Sequence, residues 1–306
     1  MGKVSVKEIK ELMTATGVGM MDCKKALVEA DGDMDKAIEL LREKGLATQA
    51  KKSGRAAAEG IVATVVKGNV GVLLEVNTET DFAANTDDFK SFVSAVANTI
   101  IESNPADVDA LKASTISGGT STVDEVLTEL AGMKIRENIV IRRFTRVEGS
   151  AIASYVHNGG SIGVLVTLDT NIESDEVLTV GKNVAMQSAA LNPAYIRRED
   201  VPADIIEKER EIVTAQVAED PKNAKKPEKV RAMIVEGKVN KYYSENCLLE
   251  QAYVKDDKLS VTAYVNEEAK KLGGTISVVD VIRYECGEGI EKKEDNFADE
   301  VASMMK

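Results

Sequence analysis

Apolar residues recur at helical spacing in the first part of this chain. One repeat covers residues 5–14, a second follows the turn at 17–22, and a third is predicted to stop at Gly45. Three helices in about 45 residues are typical of a compact bundle. Residues 48–55 are polar and basic, which predicts a linker or a linking helix. The apolar positions of the three helices are Val6, Ile9, Leu12, Met13, Cys23, Ala26, Leu27, Ala37, Ile38 and Leu41.

A β-hairpin is predicted next. Gly60–Val66 and Val70–Val76 are apolar runs joined by a short glycine turn. The second strand is expected to end at Val76, because polar residues occupy 77–80, and a helix is expected over 88–103. Phe82 therefore lies in a polar connection between two buried elements. Its ring could close over the core of its own chain, or protrude as a wedge toward a partner.

The pattern of a hairpin followed by a helix occurs twice. Residues 151–166 form a second hairpin, in which Gly163–Val166 matches Gly71–Leu74. The second copy is expected to place Asp169–Ile172 where the first has Thr80–Phe82. A repeat of this kind predicts a duplicated α+β core. Because the second copy lacks the Asp-Phe pair, the repeat moves the interpretation of Phe82 toward a wedge.

The rest of the chain predicts further helices and strands. Asp220-Pro221 and Lys226-Pro227 interrupt an apolar helical pattern, which indicates an antiparallel, coiled-coil-like hairpin of helices over 202–240. The other predicted elements are a helix at 123–130, strands at 138–147 and 276–286, a helix at 260–272, and a terminal helix with Phe297, Val301 and Met304 on one face.

The fold class predicted from these elements is α+β, with several units. An N-terminal three-helix module with its linker covers 1–55, and the first core subdomain covers 56–147. The second core subdomain covers 148–286 and is interrupted by the helical hairpin. A C-terminal helical module covers 287–306. A chain of 306 residues is expected to contain more than one domain.

Composition narrows the class of function. The net charge of −12 argues against direct binding of a nucleic acid, which usually requires a basic surface. Three widely spaced cysteines form neither a metal-binding pair nor a disulfide framework, which fits the reducing cytoplasm. No apolar run is long enough for a signal peptide or a membrane span. We therefore expect a cytoplasmic protein without a membrane partner.

Candidate catalytic and metal-binding motifs fail on inspection. Asp31–Asp35 resembles the start of a calcium loop, but Lys36 and Arg42 occupy its glycine and glutamate positions. Gly17–Lys24 resembles a phosphate loop but lacks its second glycine. The single histidine, His157, lies beside a glycine turn without a recognisable nucleophile. We expect no metal site, no cofactor and no enzymatic activity, although an unrecognised pair of carboxylates remains open.

Several motifs in this chain resemble those of the elongation factor Ts family, and the likeness is collinear over its full length. They are Thr16–Leu27, Thr78–Phe82, Tyr155–Gly160, Ile162–Val166 and Gly287–Glu291. The resemblance implies an N-terminal ubiquitin-associated-like module, two related core subdomains, an inserted coiled coil and a C-terminal helical module. It also implies a guanine-nucleotide exchange factor for elongation factor Tu.

The resemblance assigns roles to particular residues. The tip around Asp81 and Phe82 is expected to insert into the GTPase domain of elongation factor Tu and to displace the bound magnesium ion. Two departures from the family pattern concern Ala83, where valine is common, and Ser161, where arginine is common. The implied tip is Thr80, Asp81, Phe82 and Ala83, and the other partner contacts are Met20, Met21, Phe297, Val301 and Met304 on the GTPase domain, with His157, Gly159 and Gly160 on a second domain.

Two alternatives stay open from the residues alone. The chain could be an adaptor that binds a partner protein through its N-terminal helices, or an acid–base enzyme with a carboxylate of perturbed pKa in a deep pocket. The sequence also leaves the oligomeric state open, and a homodimer and a heterotetramer with the partner are both compatible with it.

Overall fold

The structure is a computed structural model that describes residues 4–291, and it confirms a mixed α+β fold. No helix within that range combines the length and the apolar character needed to cross a lipid bilayer. The α-helices are α1 Val6–Thr16, α2 Met20–Glu29, α3 Met34–Lys52, α4 Asp81–Ala84, α5 Asp87–Ser103, α6 Val108–Ala113, α7 Val123–Glu129, α8 Glu176–Leu191, α9 Ala203–Glu219, α10 Pro221–Ala224, α11 Glu228–Asn246 and α12 Val261–Lys271. The strands are β1 Glu59–Lys67, β2 Val70–Thr78, β3 Val140–Glu148, β4 Ala151–His157, β5 Ile162–Thr170, β6 Ala252–Tyr253, β7 Asp256–Ser260 and β8 Ile276–Glu285.

The first three helices pack around a small core of their own. Ser5 and Glu8 cap the start of α1 reciprocally, and Gly17 ends this helix with φ at 66°. The core contains Leu12 and Leu27, which are completely buried, and Met133 from the π-helix Leu130–Lys134 much later in the chain. This bundle therefore carries one side chain from the rest of the protein in its core.

Helix α3 continues past Gly45 to Lys52, so the prediction that it stops at Gly45 is wrong. This glycine has a packing role instead. A Cβ atom on Gly132, in the π-helix Leu130–Lys134, would lie 2.3 Å from the carbonyl oxygen of Gly45. Two glycines thus allow the backbones of α3 and the π-helix to touch. Residues 48–52 of the predicted linker are the last part of α3, and residues 53–55 follow its end.

Two three-stranded antiparallel sheets form the centre of the molecule. Their strand orders are β1-β2-β3 and β4-β5-β8. Val72, Leu74 and Val76 of β2 pack in the same core as α5, whereas the intervening Leu73 packs against Leu165 of β5. Strand β2 is therefore buried on both faces, which explains why its sequence is continuously apolar.

The two sheets repeat one another in register as well as in order. A β-bulge follows Glu75 in β2 and Thr167 in β5, at the same distance along the strand from the matching glycines. Beyond the strands the two copies differ in length: α5 begins nine residues after the end of β2, and α8 begins six residues after the end of β5. The first copy inserts α4 in this connection, so the placement of Asp169–Ile172 opposite the tip stays a prediction.

Strand β2 also continues two residues beyond Val76. Asn77 and Thr78 are polar but almost completely buried. The amide of Asn77 donates to the carbonyl of Glu59 at 3.2 Å, and the hydroxyl of Thr78 donates to a carboxylate of Glu137 at 3.0 Å. Both polar residues remain in the strand because the structure supplies acceptors for the hydrogen bonds that they donate, whereas the Oδ1 atom of Asn77 is buried without a partner among the described residues.

Helices α9 and α11 form the predicted antiparallel hairpin, joined through α10. The hairpin reaches Asn246, six residues beyond the predicted end at 240. A small apolar core of Val213, Val217, Val235 and Val239 holds its two helices together, and Arg210 pairs with Glu236 across it. The division of the chain into subdomains, and the term coiled coil, stay predictions.

Candidate functional site

Phe82 is the second residue of α4, a single helical turn between β2 and α5. Its side chain is 84% exposed, the largest exposed fraction among the large hydrophobic residues of 4–291. Ala83 and Ala84, the next two residues, are buried. The connection is therefore a packed helical turn rather than a polar loop, and it holds the ring away from the core of its own chain. Asp81, beside the ring, is also exposed.

Ala83 differs from its neighbours in the tip. It is only 4% exposed, so its methyl group faces the interior. Ala83 therefore supports the turn from below, and its departure from the commoner valine lies beneath the exposed surface of the tip. Thr80 caps the turn, since its hydroxyl oxygen accepts a hydrogen bond of 3.2 Å from the amide of Ala83.

The tip rests on a glutamate that the sequence did not single out. Glu137 precedes β3 and accepts three hydrogen bonds: from the Thr78 hydroxyl, from the Thr80 amide at 2.9 Å, and from the Thr80 hydroxyl at 2.8 Å. Hydrogen bonds to a carboxylate are stronger than those between neutral groups. The only sequence signal was an acidic residue just before a strand, which is too common to identify a role.

The β4–β5 hairpin presents His157 at its tip. The imidazole is exposed, and its Nδ1 atom lies 2.9 Å from the hydroxyl oxygen of Tyr155. Gly159 and Gly160 both have positive φ, and Gly160 is buried. A Cβ atom on Gly160 would lie 2.7 Å from Cγ2 of Ile61 in β1. The glycine turn therefore packs closely against the first sheet, beside the exposed His157.

The Phe82 turn and the His157 hairpin lie on the same side of the molecule. Asp81 and Asn85 from the first, and Asn158, Gly159 and Ser161 from the second, line one concavity of about 560 Å³. The structure thus brings together two predicted contact regions that are far apart in sequence. Cys286, at the end of β8, also lines this concavity.

The other predicted contact residues lie elsewhere. Met20 and Met21 begin α2 and are 51% and 64% exposed. Adaptable thioether side chains on a surface suit protein recognition. Phe297, Val301 and Met304 lie outside the described residues.

A buried carboxylate fastens the start of the C-terminal segment to the first sheet. Glu75 is completely buried; Arg142 and Arg143 donate to it at 2.9 and 2.6 Å, and the amide of Gly287 at 2.8 Å. Burial alone would raise the pKa of Glu75, but the hydrogen bonds from Gly287 and the two arginines outweigh it and hold this pKa below its usual value. Arg142 also donates to the carbonyl of Glu288.

The described residues offer little for acid–base or metal chemistry. The carboxyl groups with a displaced pKa within 4–291 are Glu8, Asp22 and Glu75, and each is displaced downward, opposite to a general acid. No group of three or more potential ligands in that range could hold a metal ion. The absence of a cofactor and of enzymatic activity stays a prediction.

Comparisons with known proteins identify the family. A sequence profile described as "Elongation factor TS" matches residues 79–288. Over 98–99% of its length, the chain is 47% identical to Elongation factor Ts of Syntrophotalea carbinolica, 48% to that of Clostridium perfringens and 46% to that of Trichlorobacter lovleyi. These matches cover 100%, 99% and 98% of the three relatives. The chain therefore belongs to the elongation factor Ts family, a family of translation elongation factors.

Proposed function

We propose that this chain binds elongation factor Tu carrying GDP, displaces the magnesium ion from the partner's nucleotide site, and so promotes release of GDP and its exchange for GTP. The observation that carries the proposal is the exposed ring of Phe82 on a packed, capped turn. Burying a phenylalanine side chain stabilises a complex by roughly 1.5–3 kcal/mol. The ring of Phe82 is exposed in the free chain, so its burial by a partner would stabilise the complex by that amount.

Insertion of the ring explains exchange without covalent chemistry. A magnesium ion is the largest local charge in a nucleotide site, so moving the groups that hold it weakens the binding of the phosphates. Binding is reciprocal: if this chain lowers the partner's affinity for GDP by some factor, GDP lowers the affinity for this chain by the same factor. Binding of GTP to the partner then releases this chain. The chain thus acts as an exchange factor without forming or breaking a covalent bond.

The remaining contacts extend the interface around the tip. Met20 and Met21 contact the GTPase domain as apolar anchors, and His157 with its glycine turn contacts a second domain of the partner. The concavity between the Phe82 turn and the hairpin supports a partner surface that touches both. The protein acts in the cytoplasm without direct contact to nucleic acid or membrane. The proposed contact residues are Asp81, Phe82, Met20, Met21, His157, Gly159, Gly160, Phe297, Val301 and Met304, and the tip is completed by Thr80, which caps its turn, and Ala83, which packs beneath it.

Release of fluorescent GDP from purified elongation factor Tu tests the proposal. Phe82→Ala is expected to slow the stimulated release about thirtyfold, the loss typical of a central interface anchor, and Asp81→Ala to slow it by less. Leu178→Ala, at a half-exposed leucine of α8 in the second subdomain, is the matched control. Unchanged stimulation by both tip variants would contradict the wedge.

A further inference from the structure

Three consecutive residues before β3 contact three separate segments of the protein. Arg136 has φ of 62°, in the left-handed region that residues with a side chain seldom adopt, and the chain turns sharply there. Arg136 forms an ion pair with Asp22 of α2, and Glu137 accepts hydrogen bonds from the threonines below the tip. Asn138 donates a hydrogen bond to the segment that connects α3 to β1.

We propose that Arg136, Glu137 and Asn138 form a positioning hub, which holds the Phe82 tip and the methionine end of α2 in a fixed mutual arrangement. The hub residues touch no partner atom themselves in this proposal. The inference rests on the proposed function, because it concerns how two of its contact regions are held.

The tip side of the hub depends on the carboxylate of Glu137. Both its oxygens accept hydrogen bonds, one from the Thr78 hydroxyl and the Thr80 amide, the other from the Thr80 hydroxyl. The Thr80 hydroxyl oxygen in turn accepts from the amide of Ala83. The carboxylate of Glu137 therefore orients the Thr80 hydroxyl, and this hydroxyl in turn caps the helical turn that carries Phe82.

Asn138 closes this side of the hub. Its backbone amide donates to Glu79 at 2.7 Å, and its side-chain amide donates to the carbonyl of Arg55 at 2.7 Å. Arg55 also pairs with Glu79 at 3.3 Å. Asn138 is only 5% exposed, so its own two hydrogen bonds are sheltered from water, whereas the side chain of Arg55 is largely exposed.

The other side of the hub holds α2. Asp22 follows Met20 and Met21 directly, and its carboxylate pairs with Arg136 and with Lys44 of α3, the latter at 2.6 Å. The pair with Arg136 joins the methionine end of α2 to the same loop that holds the tip, and the pair with Lys44 joins it to α3.

Glu137→Gln tests the tip side. A glutamine keeps one oxygen for the Thr80 amide and the Thr78 hydroxyl, but its NH2 group then faces the Thr80 hydroxyl, which must reverse its hydrogen bond, and the charge of the carboxylate is lost from all three hydrogen bonds. Hydrogen exchange of residues 79–86 in the free protein is expected to become about tenfold faster, and stimulated GDP release about fivefold slower. Glu125→Gln is the matched control: Glu125 accepts from the amide of Thr122, the cap of α7, at 2.8 Å, just as Glu137 accepts from the amide of Thr80. Neither measurement is expected to change in this control.

Asp22→Asn tests the α2 side. Exchange of residues 19–24 is expected to become faster and the affinity for the partner severalfold weaker, while exchange of residues 79–86 keeps its rate. Thr80→Val, which removes the capping hydroxyl at nearly constant shape, replaces Glu137→Gln if the latter lowers the melting temperature strongly. Unchanged exchange of residues 79–86 in the tip variant, or of residues 19–24 in Asp22→Asn, would overturn the hub.

The two proposals fail in distinguishable ways. If Phe82→Ala slows GDP release and Glu137→Gln does not, the hub is wrong and the exchange function stands. If Phe82→Ala and Asp81→Ala both leave release unchanged while hydrogen exchange responds as expected, the wedge that carries the proposed function is wrong, and the hub remains as a structural device.

Discussion

Gly132 and Gly45 lie in direct backbone contact where α3 crosses the π-helix. A Cβ atom on Gly132 would fall 2.3 Å from the carbonyl oxygen of Gly45 and 2.7 Å from its carbonyl carbon. Rigid backbone atoms cannot move aside as the end of a side chain can. This contact decides how closely the N-terminal bundle approaches the core.

Gly132→Ala is therefore expected to destabilise the protein by about 2 kcal/mol, the cost of overpacking a close contact. Thermal unfolding and limited proteolysis between residues 48 and 58 measure the effect. Gly237→Ala is the control, because a Cβ atom there meets nothing within 4 Å and alanine favours the helix by about 0.5–1 kcal/mol. Equal melting temperatures for both variants would refute the role of the contact.

The double variant Met20→Ala, Met21→Ala is expected to weaken binding to elongation factor Tu about tenfold and to leave the melting temperature unchanged, because both side chains are largely exposed. Titration calorimetry measures the affinity. An adaptor that bound only through its N-terminal helices would lose all binding, whereas an exchange factor keeps the contacts of its core.

Glu75→Gln is expected to cost about 3 kcal/mol of unfolding free energy, because it leaves two arginines without their buried carboxylate. Urea unfolding measures this loss. Glu245→Gln is the control, since Glu245 forms an exposed pair with Lys241 and is expected to contribute less than about 1 kcal/mol.

The pKa of Glu75 also predicts how stability depends on pH. Because the folded pKa lies below the ordinary value of 4.5, the stabilisation is fully present above pH 4.5 and is lost as the pH falls through the folded pKa. The loss of stability below pH 4.5 is therefore expected to be smaller in Glu75→Gln than in the native protein. Parallel pH profiles would contradict this assignment.

A bulky maleimide is expected to label Cys286 before the other two cysteines. Cys23 and Cys247 are completely buried, and burial raises the pKa of both thiols, that of Cys247 to about 11. Because Cys286 lines the concavity between the tip and the hairpin, its label is expected to obstruct partner binding. Mass spectrometry locates the label. The control is Cys286→Ser treated with the same maleimide, which is expected to keep its binding to the partner. Unchanged partner binding by the labelled native protein would argue against a partner surface at this concavity.

Local sequence patterns predicted most of the secondary structure for an identifiable reason. The apolar periods of α1 and α5, and the continuous apolar run of β2, reflect one-dimensional requirements that each element meets along its own length. Errors fell where a distant segment changes a local preference. From its local sequence Gly45 is predicted to end a helix, but in the structure it is the contact point for Gly132. Asn77 and Thr78 are predicted to lie in a loop, but in the structure Glu59 and Glu137 accept their hydrogen bonds.

By itself, the sequence determined the α+β class, the duplicated hairpins and the presence of an Asp-Phe pair in only one copy, since each follows from the order of residues. Only the tertiary structure decided that the Phe82 ring faces outward and that Ala83 faces inward. It also decided that Glu137 holds Thr80, the residue that caps their helical turn. Those outcomes depend on which surfaces meet in space: a side chain is exposed or buried according to its neighbours, and the chain brings those neighbours from far along its length.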